Sequence, residues 1–355
     1  MARYFIINYK LQLPLKYVEN EYSTEHGLSG VKRAINTANR RRGGWGRAMT
    51  KMALAPCVMS FMNLKGGTGK TTLAIAVSEA ACLLFNKKIL LIDCDFQSSA
   101  SISVLGRAHF NALVSQKQTL DAAILAALPE RGDCALQKYV VPCPFTVTEA
   151  AGRLSCLPAS PQMPRSEREI LSHFLSGNDL HGACQEASVF IAAAIRSLTA
   201  HFDIVIIDCP PGVTLFSEGA VRASDFLIVP TLPNDISIGA IEHLRHEIAR
   251  ISPDRTFEDL HLGTVVSKIR HRNALDHHLA QVGSIERLLD RMPPRFGVLR
   301  PYLPFCRELE SASWREPAAR RNSFAAQYGS VSRLVEQLTF SIMQRAAHSG
   351  ERTAA

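Results

Sequence analysis

The chain has 355 residues, 46% of them hydrophobic and 20% charged, with a formal net charge of +8. That is apolar material for one large core or two ordinary ones, and no apolar run approaches the roughly 18 residues of a membrane span. The nine cysteines are scattered and contain no C-x-x-C pair, which excludes a disulfide framework and argues against an iron–sulfur or structural zinc site.

Most of the charge lies at the start. Residues 1–51 hold ten Lys/Arg and three acids, a balance of +7, so residues 52–355 carry only +1. This segment holds Tyr4, Tyr9, Tyr17 and Tyr22, a candidate short helix at 29–39, and the run Asn39-Arg40-Arg41-Arg42-Gly43-Gly44-Trp45-Gly46-Arg47. It has too few apolar residues for its own core and is expected to be a poorly ordered basic extension. Two uses stay open: an arm that binds nucleic acid, or a leader ahead of a translation start at Met49, Met52 or Met59. Its apolar patch, Phe5-Ile6-Ile7, is too short for a secretory signal, so the expected location is the cytoplasm.

From Pro56 onward, short apolar runs alternate with helical stretches. The runs at 58–63, 88–93, 154–157, 204–208, 226–229, 263–267 and 298–303 predict strands. Helices are predicted at 71–85, 119–128, 166–175, 187–200, 238–251, 275–289 and 331–345. Strands apolar throughout and separated by helices predict an α/β fold, a mostly parallel sheet covered on both faces. Residues 106–155 read as looser, with Pro129, Gly132, Pro142 and Pro144. The expected organisation is the extension 1–51, one main domain over 52–347 and a flexible tail at 348–355.

The first strand-to-helix junction reads Asn63-Leu64-Lys65-Gly66-Gly67-Thr68-Gly69-Lys70-Thr71-Thr72. Glycines there let backbone N–H groups turn inward as an anion nest, and the helix N-terminus adds positive partial charge. Lys70 supplies a point charge for β- and γ-phosphates, and the Thr71 hydroxyl suits Mg²⁺. The standard phosphate-loop pattern wants glycine where this chain has Leu64, and a second lysine, Lys65, stands at the loop's start. Two further strands empty into carboxylates: Asp93-Cys94-Asp95 and Asp208-Cys209-Pro210-Pro211. In a parallel sheet these ends lie beside the loop, where a carboxylate can hold a metal-bound water or orient an attacking one.

Taken together, Lys65 to Thr72, Asp93-Cys94-Asp95-Phe96-Gln97 and Asp208-Cys209-Pro210-Pro211 resemble the deviant Walker-A P-loop ATPases of the ParA/MinD superfamily. The segments 154–160, 223–230 and 303–307 extend the likeness over roughly 56–345. Leu64 and Gln97 point to the ParA branch, although Phe96 stands where that branch has proline. The resemblance implies ATP and Mg²⁺ as cofactors. Residues 65–72 would hold the nucleotide together with Pro233, Asn234 and Ser267, and Thr71, Asp93 and Asp208 would stand on the metal side. Catalysis would fall to Asp95, Lys65 and Lys70, with Lys65 reaching across a two-fold interface to the partner's phosphates.

It also implies an ATP-sandwich homodimer, hydrolysis that is weak until stimulated by a ParB-like or cargo-adaptor protein, and association with the nucleoid. Non-specific DNA would be held through Arg270, Arg272 and Arg307. The alternatives are a positioning ATPase of a synthase or secretion system and a MinD-like membrane role, the latter resting on an apolar face of the helix at 331–345. Few basic residues flank that face, so packing on the core is its expected use.

Overall fold

The computed structural model describes residues 54–129, 135–143, 153–175, 179–269, 275–290, 297–312 and 323–353. The basic extension 1–51, Arg270 and Arg272 lie outside the described residues. The described residues fall within one compact unit, Ala53–Ala355.

The chain runs β1 (Cys57–Phe61), α1 (Lys70–Phe85), β2 (Ile89–Asp93), α2 (Ser99–Leu105), α3 (Arg107–Ser115), α4 (Leu120–Ala127), β3 (Val141–Pro142) and β4 (Leu154–Leu157). There follow α5 (Met163–Phe174), α6 (Leu180–Ser197), β5 (Ile204–Asp208), α7 (Leu215–Ala223), β6 (Phe226–Thr231), α8 (Asp235–Ile251), α9 (Phe257–Leu260) and β7 (His261–Val266). The last described elements are α10 (Leu275–Asp290), β8 (Val298–Leu299), α11 (Arg307–Ala312), α12 (Phe324–Tyr328) and α13 (Ser332–Thr353).

The sheet order is β3-β4-β2-β5-β1-β6-β7-β8. All pairings are parallel except β3 with β4. Every residue of β1, β2 and β5 is buried, as strands covered on both faces require. β1 sits between β5 and β6 while its successor β2 lies beyond β5. The chain therefore reverses direction across the sheet at β1, and the carboxyl ends of β1, β2 and β5 open on one crevice.

Several expectations are corrected. The looser stretch contains the unpredicted helix α3 and the short antiparallel edge strand β3, beside the predicted helix at α4. The last helix continues to Thr353, so the tail expected from 348 is helical through that residue. Its apolar face packs inward: Val335, Leu338, Ile342, Met343 and Ala346 are buried, and Phe340 stacks on Phe85 of α1 at 6.4 Å. Just ahead of it, the Tyr328 hydroxyl donates to buried Glu79 of α1 at 2.7 Å. Among the described residues no helix is long and apolar enough to cross a membrane.

Candidate nucleotide site

β1 delivers the chain to the loop, and Asn63 anchors it. Its amide donates to the Pro230 carbonyl at 2.7 Å, and its Oδ1 accepts from the Lys65 N–H at 2.9 Å. Leu64, standing in place of a glycine, packs partly against the core. Gly67 and Gly69 take φ values of 74° and 91°, the left-handed region that favours glycine. A Cβ at Gly66 or Gly67 would meet nothing within 4 Å, so the loop presents bare backbone outward. Gly69 then caps α1 and leaves the first N–H groups of that helix aimed at the loop.

Both loop lysines are held inside the chain. Lys70 is buried and donates to the Lys65 carbonyl at 3.0 Å. Burial lowers its pKa, opposed by the charges of Asp208, Cys209 and Asp95. Lys65 donates to Asn234 at 3.3 Å, and Asn234 also caps α8 by accepting from Ser237. Pro233 beside it is buried. Ser267, beyond the end of β7, donates to the Thr68 carbonyl at 3.0 Å, so it grips the loop's backbone. Next to it an open cleft is lined by Gly69, Thr72, Leu73, Lys268, Phe305 and Leu309. Lys268 pairs with Glu310 at 3.0 Å on its rim.

The carboxylates divide into two kinds. Asp208 is wholly buried, and neither oxygen has a partner in hydrogen-bond geometry among the described residues. Burial pushes its pKa well above the carboxylate range, as does the charge of Asp93. The Thr71 hydroxyl and the Lys70 ammonium draw it down. Thr71 therefore acts on Asp208 without closing a bond. Asp93, equally buried, is fully engaged: Oδ1 accepts from the Asp95 N–H at 3.1 Å, and Oδ2 from the Ser101 N–H and hydroxyl at 2.8 and 2.7 Å. These bonds tie Asp93 to the segment that follows it and to α2. Asp95 is buried at the crevice, its Oδ1 turned back to accept from the Gln97 N–H at 2.9 Å. Phe96 beside it is 46% exposed.

A pair of unpartnered, buried carboxylate oxygens next to a hydroxyl and an ammonium fits a hydrated Mg²⁺. Among the described residues no cluster of three or more His, Cys, Asp or Glu could hold a metal. A cation bound mainly by phosphate oxygens and water needs no such cluster. Of the residues expected to hold DNA, Arg307 lies in the described part, exposed at the start of α11 beside Glu308. Pattern reading missed Asn63, Ser101 and the positive-φ Gly212 of the turn after Asp208. Asn63 was the accessible one, a polar residue closing an apolar strand at the mouth of a glycine loop.

A glycine loop opening a helix, with carboxylates at the ends of neighbouring parallel strands, defines a P-loop nucleotide-binding protein. The "AAA domain" family AAA_31 matches residues 56–261, and the chain belongs to it, as a P-loop ATPase of the ParA/MinD kind. Similar proteins include the chromosome partitioning protein ParA of Myxococcus xanthus (strain DK1622), 26% identical over 221 residues, or 61% of this chain and 68% of that one. The sporulation initiation inhibitor protein Soj of Bacillus subtilis (strain 168) is 26% identical over 174 residues, 49% of this chain and 57% of Soj. The fold matches Cyanothece McdA in an ATP complex with a TM-score of 0.60 at 17% identity, covering 81% of this chain and 95% of that one. It matches pnob8 ParA with a TM-score of 0.58 at 18% identity, covering 84% and 99%.

Proposed function

We propose that the protein is a ParA-type positioning ATPase that binds Mg²⁺–ATP, dimerises on it and holds DNA without sequence preference as that dimer. The observation that carries the reading is Asp208: a buried carboxylate without a partner, set against Lys70 and Thr71 at the mouth of a glycine loop. The amides of residues 66–72 and Lys70 would cradle the phosphates, and Thr71 and Asp208 would hold a hydrated Mg²⁺, which when bound would supply neutralising charge to the phosphates. Asp95 exchanges its bond to Gln97 for the attacking water, and positioning that water is most of what a protein offers phosphoryl transfer. Lys65 leaves Asn234 and crosses to the partner's phosphates, which couples nucleotide to dimer. Burial of the apolar face of α13 weighs against a membrane role.

DNA contacts through Arg270, Arg272 and Arg307 would be phosphate-directed and steeply salt-dependent. A ParB-like or cargo-adaptor protein would stimulate hydrolysis and reset the cycle; the cargo is a plasmid, a chromosome or another assembly. Light scattering with ATP, ADP or no nucleotide, followed by DNA retention at two salt concentrations, tests the reading. ATP alone should double the mass and retain random-sequence DNA, and Lys65→Ala should abolish the doubling while nucleotide still binds. An ATP-independent mass would overturn the reading.

A further inference from the structure

Behind the crevice, hydrogen bonds link the two carboxylate-bearing strand ends by a route that avoids the nucleotide. From Asp93 the route passes to Ser101 of α2, whose hydroxyl also accepts from the Ala159 N–H at 3.1 Å in the turn after β4. The next residue, Ser160, donates to buried Asp121 of α4 at 2.9 Å. The same Asp121 oxygen accepts from Ser166 of α5 at 2.8 Å, and Thr119 donates to the other at 2.7 Å. The side chains of Asp93, Ser101, Thr119, Asp121, Ser160 and Ser166 are all buried, and these bonds order them as one frame.

Glu167, the residue after Ser166, carries the frame across to α7. Its Oε1 accepts from the Phe216 N–H at 3.4 Å, and the Thr214 hydroxyl and the Leu215 N–H also act on the carboxylate. These groups are the first turn of α7, and α7 begins where the turn Asp208-Cys209-Pro210-Pro211-Gly212 ends. Thr214 already spends its acceptor on its capping box, taking the Ser217 N–H at 3.2 Å, and is left with a proton to give. Glu167 is half-buried, and burial raises its pKa, as does Glu218 of α7. Glu218 is itself tied to Arg250 of α8 at 2.7 Å.

We propose that Glu167 is a positioning residue for hydrolysis, clasping the start of α7 so that the turn carrying Asp208 stays in register with the segment carrying Asp93 and Asp95. The inference rests on the ATPase reading above. Nothing in it requires Glu167 to touch nucleotide: the residue acts through Asp208, so its loss should lower turnover and spare affinity.

The test uses the full chain with Glu167→Ala and Glu167→Gln, the second retaining an acceptor oxygen. In nucleotide-free protein, amides of residues 214–217 should exchange roughly fivefold faster in Glu167→Ala, the scale of one lost hydrogen bond. Turnover of ATP should fall about tenfold with the Kd of a fluorescent ATP analogue held within about twofold, because misplacement of a reacting group costs rate more than binding. Glu167→Gln should recover most of both effects. Should Glu167→Ala fail to fold, Glu167→Asp, which withdraws the carboxylate by one methylene, should show the same split. Unchanged turnover in the variant, no recovery with glutamine, or parallel losses of affinity and turnover would each overturn the inference. A wild-type chain that neither binds nor hydrolyses ATP defeats the functional reading instead, and the two failures are distinguishable.

Discussion

The ends of β2 and β5 lie side by side, with Asp93 opposite Asp208 in the parallel register. Both side chains are fully buried, and burial raises both pKa values. Yet one end is closed and the other open. The Asp93 side chain accepts two hydrogen bonds from Ser101 in the first turn of α2 and one from the Asp95 N–H, whereas the Asp208 carboxyl oxygens have no partner in hydrogen-bond geometry among the described residues. Burial alone therefore does not tell a partnered carboxyl from an unpartnered one; the accounting of donors does.

Isosteric substitutions turn this difference into numbers. Asp208→Asn should reduce ATP hydrolysis by about a hundredfold or more, the scale of a lost electrostatic contact to a reacting phosphate. The same change should leave the nucleotide-free protein about as stable as the wild type, because the buried carboxyl it replaces has no hydrogen-bond partner to lose. Phosphate release and urea unfolding on one preparation check both halves. A destabilisation by more than about 2 kcal/mol would show that Asp208 has a structural partner and would erase the contrast.

Asp93→Asn should do the reverse. The Ser101 N–H and hydroxyl both point at Oδ2, so an amide placed there either turns its own N–H₂ toward a donor or turns it on the Asp95 N–H. A loss of about 2 kcal/mol in unfolding free energy is expected, with ATP affinity much less affected. A stable Asp93→Asn protein that fails to bind Mg²⁺–ATP would place the residue on the metal side, as the resemblance implies.

This contrast was invisible to sequence reading: both segments are apolar runs ending in Asp-Cys. What pattern does show is burial: β2 and β5 were legible as four consecutive apolar residues, and β1 and β4 as apolar runs broken only by Ser60 and Ser155. Helix starts were missed where periodicity alone was followed. Asp179 accepts from the Gly182 N–H at 2.7 Å and starts α6 at Leu180, seven residues ahead of the predicted start. Asn234 caps α8 in the same way. The nine residues of α7 are too few to display a 3.6 period. Contacts such as Glu167 with Phe216, 49 residues apart, depend on tertiary placement.

Across the sheet from the crevice, His261 gives the comparison a titratable control. It is buried, stacked on Phe257 at 4.8 Å, and its Nε2 lies 2.9 Å from the Thr264 hydroxyl. Burial, then the charge of Arg345, lowers its pKa to about 3. The unfolded chain takes up this proton near pH 6.5 and the folded chain does not, so stability is lost as pH falls below about 6.5, by at most about 1.4 kcal/mol per pH unit. Urea midpoints of the wild type and His261→Gln should converge as the pH drops from 7 to 5. Parallel curves would mean that the folded protein accommodates the imidazolium.

The smallest effect is expected at Ser267, where the tied and open classes meet. The resemblance places Ser267 at the nucleotide, yet its hydroxyl bonds the Thr68 carbonyl at 3.0 Å and the Thr231 carbonyl at 3.3 Å. It thus holds the loop to the end of β6, while the Thr68 hydroxyl, buried in the same loop, has no partner among the described residues. Ser267→Ala should cost about 1 kcal/mol of loop order, read as a three- to tenfold weaker Kd for ATP. A residue that orders the loop should weaken ATP and GTP alike, since both present the same phosphates. A residue that reads the base should weaken ATP and leave GTP unchanged. Competition of each nucleotide against a fluorescent ATP analogue separates the cases, and loss confined to ATP would move Ser267 from the loop's scaffold to the base.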